Sequence, residues 1–383
     1  MTPSSTSYSS ARQGRADRRG LLASAIATCL SVALPLRAVA GTATQHKPLH
    51  PPKARAPSRP SAPLARYAGR PDAMLFADDL ANRRGFDIAW TREIIGQAGF
   101  LPYVPKLVLP PARGTAKNWR LYRSRFVEPI RIRAGVRFWN DNRATLERAE
   151  AQYGVPAEII VGIIGVETIY GQQIGNVRIL DALATLSFDF PAAHPRAKER
   201  ADFFRSELEQ FVAMVQRGTL DADTARGSYA GAMGLPQFMP SSWGRWAIDF
   251  NGDGRIDLFN SPEDAIGSVA SYFKGYGWKT GMPATYPVSF DAGRLDLDGL
   301  LAPDILPTFS PAAFMAKGAV LDGAAQQLAG LLALVELQNG DEQPVYVAGT
   351  ENFYVITRYN WSSYYAMAVL ELGAAVAAAR LAN

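Results

Sequence analysis

The chain of 383 residues has one cysteine and three histidines, namely Cys29, His46, His50 and His194. Only His194 lies within the part that we expect to fold, so this composition excludes a Cys/His catalytic pair. It also argues against a Ser/His/Asp site and against a metal centre built from several histidines. Any reaction must therefore use carboxylates, hydroxyls and amides.

The formal net charge of +5 comes from the N-terminal part of the chain. Residues 1–69 hold ten Lys and Arg and one Asp, so residues 70–383 hold 30 basic and 34 acidic residues. A slightly acidic body is not typical of a nucleic-acid-binding protein, which usually carries a basic face. We therefore expect no nucleic-acid partner.

Residues 1–40 resemble a signal peptide. The basic stretch "RQGRADRRG" precedes the apolar stretch "LLASAIATCLSVALP", and the tripeptide AVA at 38–40 offers a cleavage site before Gly41. The apolar run is shorter than the roughly 20 residues that span a bilayer. We predict export to the periplasm as a soluble protein.

Two details of export stay open at this point. Arg18 and Arg19 are compatible with the twin-arginine route, although a single Arg pair is common. A lipoprotein anchored through Cys29 is the less favoured alternative, because Thr28 is larger than the Gly or Ala expected before such a cysteine.

Residues 41–69 are rich in proline and small residues without hydrophobic periodicity, which predicts a disordered tether.

From about 72 to 282 the pattern is helical: apolar residues recur three and four apart, segments stop at glycine, and a helix is predicted to begin at Pro156. Within about 283–351, "YPVSF" and "PVYVAG" are predicted strands and "ELQNGDEQP" a turn. A final helix covers "SSYYAMAVLELGAAVAAARL". These segments predict a mainly α fold with a small β-containing insertion.

Glu167 ends an otherwise apolar helix. Ile160, Ile163 and Ile164 precede it by seven, four and three residues, so they share its helical face. The nearest basic residue along the chain is Arg178. A carboxyl at an apolar wall loses hydration, which raises its pKa and lets it donate a proton near neutral pH, as a glycosidase acid does. The common alternative is a solvated or ion-paired glutamate.

Other side chains suit a sugar ligand. In "SYAGAMGLPQFMPSSW", residues 228–243, glycines allow close backbone approach, while Ser228 and Gln237 can bond neutral hydroxyl and acetamido groups. The alternative is a tight loop beneath the core. Five tyrosines could provide flat faces for sugar rings, although each could equally be a core aromatic: Tyr122, Tyr229, Tyr272, Tyr359 and Tyr365.

Five motifs in order closely resemble the lytic murein transglycosylase B family: "GVPAEIIVGIIGVETIYG", "LDALATLSFDFP", "SYAGAMGLPQFMPSSW", "DFNGDGRIDLFNSPEDAIGSVASYF" and "NFYVITRYNWSSYYAMAV". The resemblance covers about residues 72–375. It implies a lysozyme-like helical core at 145–282, a helical domain at 70–144 completed by 353–383, and a small β-containing domain at 283–352. It also implies a monomer without an organic cofactor that binds peptidoglycan glycan strands.

The resemblance assigns roles to residues. It implies that Glu167 is the single catalytic acid and base. It places six residues in the glycan groove: Tyr122, Ser228, Gln237, Tyr272, Tyr359 and Tyr365. Arg200 keeps one position of a family Pro-Arg-Arg run, whereas this chain reads "FPAAHPRAKERADFF" and leaves Arg196 as an uncertain partner.

A cation loop is also expected. Asp249, Asn251 and Asp253 alternate before Gly254, and Arg255 could add its backbone carbonyl, as in an EF-hand. Position 12 is Asn260 instead of the usual Glu; the family's longer loop implies that Asp264 closes a calcium site. The alternative is that Ser261 and Asp264 form only a helix cap.

The implied reaction is lytic. Protonated Glu167 gives its proton to the glycosidic oxygen between N-acetylmuramic acid and N-acetylglucosamine, and the resulting base activates the sugar's own C6 hydroxyl to form a 1,6-anhydro end. Three alternatives remain: a lysozyme-like hydrolase with a second carboxylate, a non-catalytic peptidoglycan-binding protein, and a calcium-stabilised structural protein.

Overall fold

Helices form most of the described chain. The computed structural model describes residues 65–110 and 117–382, so the predicted signal peptide and most of the predicted tether lie outside the described residues. The helices before the insertion are α1 (Pro71–Arg84), α2 (Ile88–Gln97), α3 (Val104–Leu107), α4 (Trp119–Arg123), α5 (Pro129–Asp141), α6 (Arg143–Tyr153), α7 (Ala157–Thr168), α8 (Ile179–Phe188), α9 (Ala197–Gln216), α10 (Pro240–Trp246) and α11 (Pro262–Gly275). A two-stranded ribbon joins β1 (Val177–Arg178) to β2 (Arg226–Gly227).

Helix ends follow local sequence signals. Gly154 ends α6 at φ 68°, a left-handed conformation that glycine adopts without cost. The helix predicted from Pro156 starts one residue later, with Pro156 as its N-cap. At the start of α2, the Asp87 carboxylate accepts the Trp90 N–H at 2.7 Å and so satisfies a backbone donor that has no partner within the helix.

The insertion contains a four-stranded antiparallel sheet in the order β4-β3-β6-β5. Its elements are β3 (Thr285–Phe290), α12 (Leu297–Leu301), α13 (Pro311–Ala316), β4 (Ala319–Leu321), α14 (Gly323–Gln326), β5 (Ala333–Asn339) and β6 (Glu342–Gly349). Both predicted strands lie in β3 and β6, and Gly340, at φ 66°, lies in the hairpin turn as predicted. Leu300, Phe314 and Leu334 are buried in a separate small cluster. The exact domain bounds stay a prediction.

Two helices follow the sheet: α15 (Glu351–Thr357) and α16 (Ser363–Leu381). α16 packs antiparallel to α7 at very short range. A Cβ on Gly162 would lie 2.4 Å from the Val369 carbonyl oxygen, and one on Gly373 would lie 2.2 Å from that of Glu158. By length and composition α16 could span a membrane, but half of its apolar window is buried inside the protein. Its contact with α7 identifies it as a core helix.

The predicted tether ends earlier than residue 69. Residues Tyr67–Gly69 form a short 3-10 helix, and Tyr67 is 1% exposed. Its backbone N–H donates to the Ala98 carbonyl at 3.1 Å, and its hydroxyl donates to Asp189 at 2.5 Å. The prediction was wrong here because one buried tyrosine creates no periodic pattern in a proline-rich stretch.

Candidate active site

Glu167 lies in the last turn of α7, where the helix ends abruptly. Ile169 and Tyr170 both have positive φ, at 51° and 55°, and Gly171 follows at 89°. Thr168 secures this turn: its buried hydroxyl donates to the Leu235 carbonyl at 2.9 Å and accepts the Gly171 N–H at 3.0 Å. Thr168 was not among the predicted site residues, although a hydroxyl next to the carboxylate in a buried helix was a usable signal.

The surroundings of Glu167 are apolar, as the isoleucines on its helical face predict. Ile160, Ile163 and Ile164 are each fully buried. Glu167 itself keeps a partly exposed surface, but burial of its carboxyl raises the pKa to about 7. No ion pair to Glu167 occurs among residues 65–110 and 117–382. The carboxyl can therefore carry or release a proton near neutral pH.

Tyr365, in the first turn of α16, supplies the hydrogen bond to Glu167. Its hydroxyl donates to Glu167 Oε1 at 2.5 Å. This bond favours the charged carboxylate and so partly offsets the effect of burial on the pKa. Burial and the nearby carboxylate raise the pKa of Tyr365 well above its usual range, so the phenol stays protonated and remains a donor.

A row of tyrosines continues from Tyr365. The ring of Tyr359 stacks on it with centroids 6.3 Å apart, and Tyr272 lies 4.8 Å from Tyr359. The hydroxyls of the second and third rings bond to backbone: Tyr359 donates to the Pro236 carbonyl at 2.5 Å, and Tyr272 donates to the Arg358 carbonyl at 2.7 Å. Three predicted groove residues therefore form one row that starts at Glu167, and two of them, Tyr365 and Tyr272, are buried at 2% and 4% exposed.

Tyr122 belongs to the same region. It lies in α4, and its pKa is raised mainly by burial and to a smaller extent by the negative charge of Glu167. Its ring is perpendicular to that of Tyr364, with centroids 5.7 Å apart, and tilted against that of Phe126, with centroids 5.1 Å apart. Tyr364 was missed by the sequence analysis because its neighbour Tyr365 matched the motif, yet it is the side chain that joins α16 to Tyr122.

The 228–243 segment approaches the site through Pro236, the partner of Tyr359. Ser228 is oriented by backbone, since its hydroxyl accepts the Ala232 N–H at 3.0 Å and keeps a proton to donate. Gln237 has φ 51°, and its amide nitrogen donates to the Ile174 and Gly234 carbonyls at 3.0 and 2.9 Å. Ser228 and Gln237 are both partly exposed.

The two glycines of this segment serve packing instead of ligand approach. A Cβ on Gly231 would lie 2.4 Å from Leu183, and one on Gly234 would lie 2.4 Å from the Leu258 carbonyl. The expected role in bringing backbone close to a sugar is therefore replaced by close contact with the core. Tyr229, on the same segment, is partly buried against that core.

No contact within residues 65–110 and 117–382 links Arg200 to Glu167. Its guanidinium lies over the rings of Phe203 and Phe204, at 5.4 and 5.1 Å, and burial lowers its pKa. Arg196 forms an ion pair with Glu199 on the exposed surface of α9. The suggested pairing of Arg196 with Arg200 in the groove has no support in these contacts.

The predicted cation loop is closed by Asp264. This carboxylate is fully buried and accepts backbone N–H groups from the loop: Phe250 at 2.8 Å, Asn251 at 3.3 Å and Asp257 at 2.8 Å. Ser261, not Asp264, provides the cap of α11, because its hydroxyl accepts the Asp264 N–H at 3.1 Å.

The other candidate metal ligands bond to the loop itself. Asp249 accepts the Gly252 and Gly254 N–H groups at 2.7 and 2.8 Å, and Asp253 accepts the Arg255 N–H at 2.8 Å. Within the part of the chain that the structure describes, no three Asp, Glu, His or Cys side chains converge on one metal position. The oxygen donors nevertheless have the chemistry that calcium prefers.

Known relatives identify the family of this chain. A model of the family described as the transglycosylase SLT domain matches residues 70–374, so the chain belongs to this family. It is a homologue of lytic murein transglycosylase B. To the membrane-bound lytic murein transglycosylase B of Escherichia coli (strain K12) it is 42% identical over 333 residues, which cover 82% of this chain and 85% of that protein.

Solved structures show the same fold. The Escherichia coli lytic transglycosylase SLT35, solved in complex with calcium, is 43% identical and superimposes with a TM-score of 0.71 over 82% of this chain and 95% of that chain. SltB3 from Pseudomonas aeruginosa, solved in complex with NAG-anhNAM-pentapeptide, is 27% identical with a TM-score of 0.64 over 79% of this chain and 78% of that one. The family and the mainly helical, lysozyme-like fold with a small sheet are thus confirmed.

Proposed function

We propose that the protein is a peptidoglycan lytic transglycosylase in which Glu167 is the single acid and base. The observation that carries the proposal is the state of this carboxyl: burial raises its pKa to about 7, and its described hydrogen-bond partner is the Tyr365 hydroxyl. A group of that pKa can donate a proton and take one back at neutral pH.

The reaction needs one carboxyl and no water. Glu167 protonates the oxygen of the bond between N-acetylmuramic acid and N-acetylglucosamine, the C1–O bond breaks, and the muramoyl acetamido group stabilises the cation at C1. The Glu167 carboxylate then removes the proton of the C6 hydroxyl as that oxygen bonds to C1. The 1,6-anhydro end forms and the acid is regenerated.

The lysozyme-like alternative requires a second carboxylate near the first. Burial and Tyr365 account for the pKa of Glu167, and no other carboxylate contributes to it among the described residues. The lytic reaction is favoured over hydrolysis because the 42% identical relative is a lytic murein transglycosylase. The intact acid also favours catalysis over simple binding of glycan.

The proposed glycan-binding surface follows the tyrosine row. Tyr359 and Tyr122 are partly exposed and can offer ring faces, whereas Tyr365 and Tyr272, at 2% and 4% exposed, pack behind them. The Ser228 hydroxyl can donate to a substrate oxygen. Two further residues are proposed from the family resemblance: Gln237 and Arg200.

We also propose that the 249–264 loop binds calcium as a structural ion. Its ligands would be the side chains of Asp249, Asn251, Asp253 and Asp264 and the Arg255 carbonyl. Support comes from the oxygen donor set and from the homologous SLT35, which was solved in complex with calcium. The Asp264 oxygens accept backbone N–H groups of the loop, so this residue would have to turn toward the ion. The ion has no role at the sugar.

Mass spectrometry of products from purified peptidoglycan tests the proposed reaction. A lytic transglycosylase gives anhydromuramoyl ends, which are one water lighter than the reducing ends of a hydrolase. Hydrated ends alone would contradict the lytic reaction, and absence of cleavage by folded protein would favour the binding alternative.

A further inference from the structure

One buried guanidinium links two segments that border the site. Arg131, on α5, is 6% exposed. Its Nε–H donates to the Gly165 carbonyl at 2.9 Å, and its Nη1–H donates to the Arg125 carbonyl at 2.5 Å. The Glu128 carboxylate lies 4.0 Å from Arg131 Nη1. It accepts the backbone N–H groups of Ile130 and Arg131 at the start of α5. The directed bonds of Arg131 therefore go to two backbone carbonyls.

The first carbonyl belongs to the catalytic turn. Gly165 precedes Glu167 by two residues, and the same oxygen accepts the Ile169 N–H at 3.2 Å where α7 ends. The last carbonyls of a helix carry negative partial charge, so a buried cation stabilises them. Arg131 thereby fixes the turn from which Glu167 projects.

The second carbonyl belongs to the segment that carries Tyr122. The Arg125 N–H donates to the Tyr122 carbonyl at 3.2 Å. The guanidinium also lies 5.2 Å from the ring centre of Phe126, whose ring is 5.1 Å from that of Tyr122. Arg131 thus supports Tyr122 through both the backbone and the aromatic contact.

We propose that Arg131 is a positioning residue that sets the separation of Glu167 and Tyr122 by binding both segments with one planar group. Its catalytic consequence rests on the proposed function. Lysine cannot replace it fully, because an ammonium is a point charge and does not present two donors in a rigid fork. A lysine substitution keeps the positive charge and removes the planar pair of donors, so it tests the two contributions separately.

The first test compares Arg131→Lys with Arg178→Lys. Arg178 is the control, since it is also mostly buried and donates to two carbonyls, those of Ala222 and Gln97 at 2.9 and 3.3 Å. It also forms ion pairs with Asp181 and Asp223, and none of these partners lies on α7 or α4. For Arg131→Lys, kcat should fall by roughly ten- to a hundredfold, as misplacement by about 1 Å can do, and KM should rise as Tyr122 moves. For Arg178→Lys, the melting temperature should fall while kcat per folded molecule stays near that of the wild type.

The second test does not depend on activity. Amide hydrogen exchange should quicken in Arg131→Lys within 120–127 and 164–171 together, and should stay unchanged there in Arg178→Lys. Exchange that changes in neither segment, or in only one, would overturn the link, as would full kcat in folded Arg131→Lys. If the wild type forms no anhydro ends, the proposed function fails, while the exchange result still decides the structural link.

Discussion

Tyr365 donates a hydrogen bond of 2.5 Å to Glu167 although 198 residues of sequence separate them. Burial stabilises the neutral carboxyl, whereas this bond stabilises the charged form. The outcome is a pKa of about 7, at which each protonation state is readily reached. The functions of donating and accepting a proton can therefore be met by one residue.

Glu167→Gln should abolish turnover and leave the fold and glycan binding nearly intact, because the amide keeps the shape but has no transferable proton. Product formation from purified peptidoglycan measures the loss, and circular dichroism with a glycan-binding assay provides the control. Substantial residual turnover in a clean preparation would remove Glu167 from its proposed role.

Tyr365→Phe should change the pH dependence of kcat/KM. Donation of a proton requires neutral Glu167, so activity falls as pH rises through the pKa near 7. Removing the phenol removes a bond that lowers this pKa, so the pKa should rise and the alkaline limb should move to higher pH. The maximal rate should also fall because the carboxyl is less well oriented. An alkaline limb that stays in place or moves to lower pH would contradict this assignment.

Calcium should raise the melting temperature if the 249–264 loop binds it, because an ion that binds only the folded state stabilises it by mass action, by about 2.7 kcal/mol at a hundred times the Kd. Asp253→Ala should erase the rise, and Asp264→Asn should weaken it. Magnesium should substitute poorly, since it requires a tighter octahedral shell. A melting curve indifferent to calcium and to chelator would leave the loop as a plain turn.

Gly162→Ala should destabilise the protein by about 1–3 kcal/mol, because overpacking a tight core forces side chains or backbone to shift. The added Cβ would lie 2.4 Å from the Val369 carbonyl oxygen. Gly244→Ala is the control, since a Cβ there meets nothing within 4 Å and alanine favours the helix. Urea denaturation compares the two free energies of unfolding; equal stability for both variants would refute the close contact.

Localisation gives a further prediction. Mature protein should begin at or near Gly41 and be released with the soluble periplasmic contents. N-terminal sequencing after osmotic shock tests this. Recovery mainly in detergent-extracted membranes with an acylated Cys29 would establish the lipoprotein alternative instead.

Local patterns in the sequence predicted much of this molecule. The apolar run before Glu167 predicted its burial, and the alternating segments predicted β3 and β6. The family and the fold class were predicted from five motifs and are confirmed. The roles of the individual site residues stay predictions.

Contacts between distant segments were not predictable in the same way. Nothing near Arg131 in sequence indicates that it will bond to Gly165, because a backbone carbonyl at a helix end has no signature of its own. The burial of Tyr67 depends likewise on Ala98 and Asp189, which only the folded chain brings near. Such contacts depend on three-dimensional packing, and no short sequence window contains them.

The glycine contact between α7 and α16 also determines when the site can assemble. Until Val369 reaches Gly162, the most apolar helix of the body lacks its cover and Glu167 lacks its phenol. Because a chain is synthesised from its N-terminus, α7 is complete long before α16 is made. The Glu167 site can therefore form only after synthesis has passed residue 369, and a chain truncated before that point lacks both the cover of α7 and the phenol of the site.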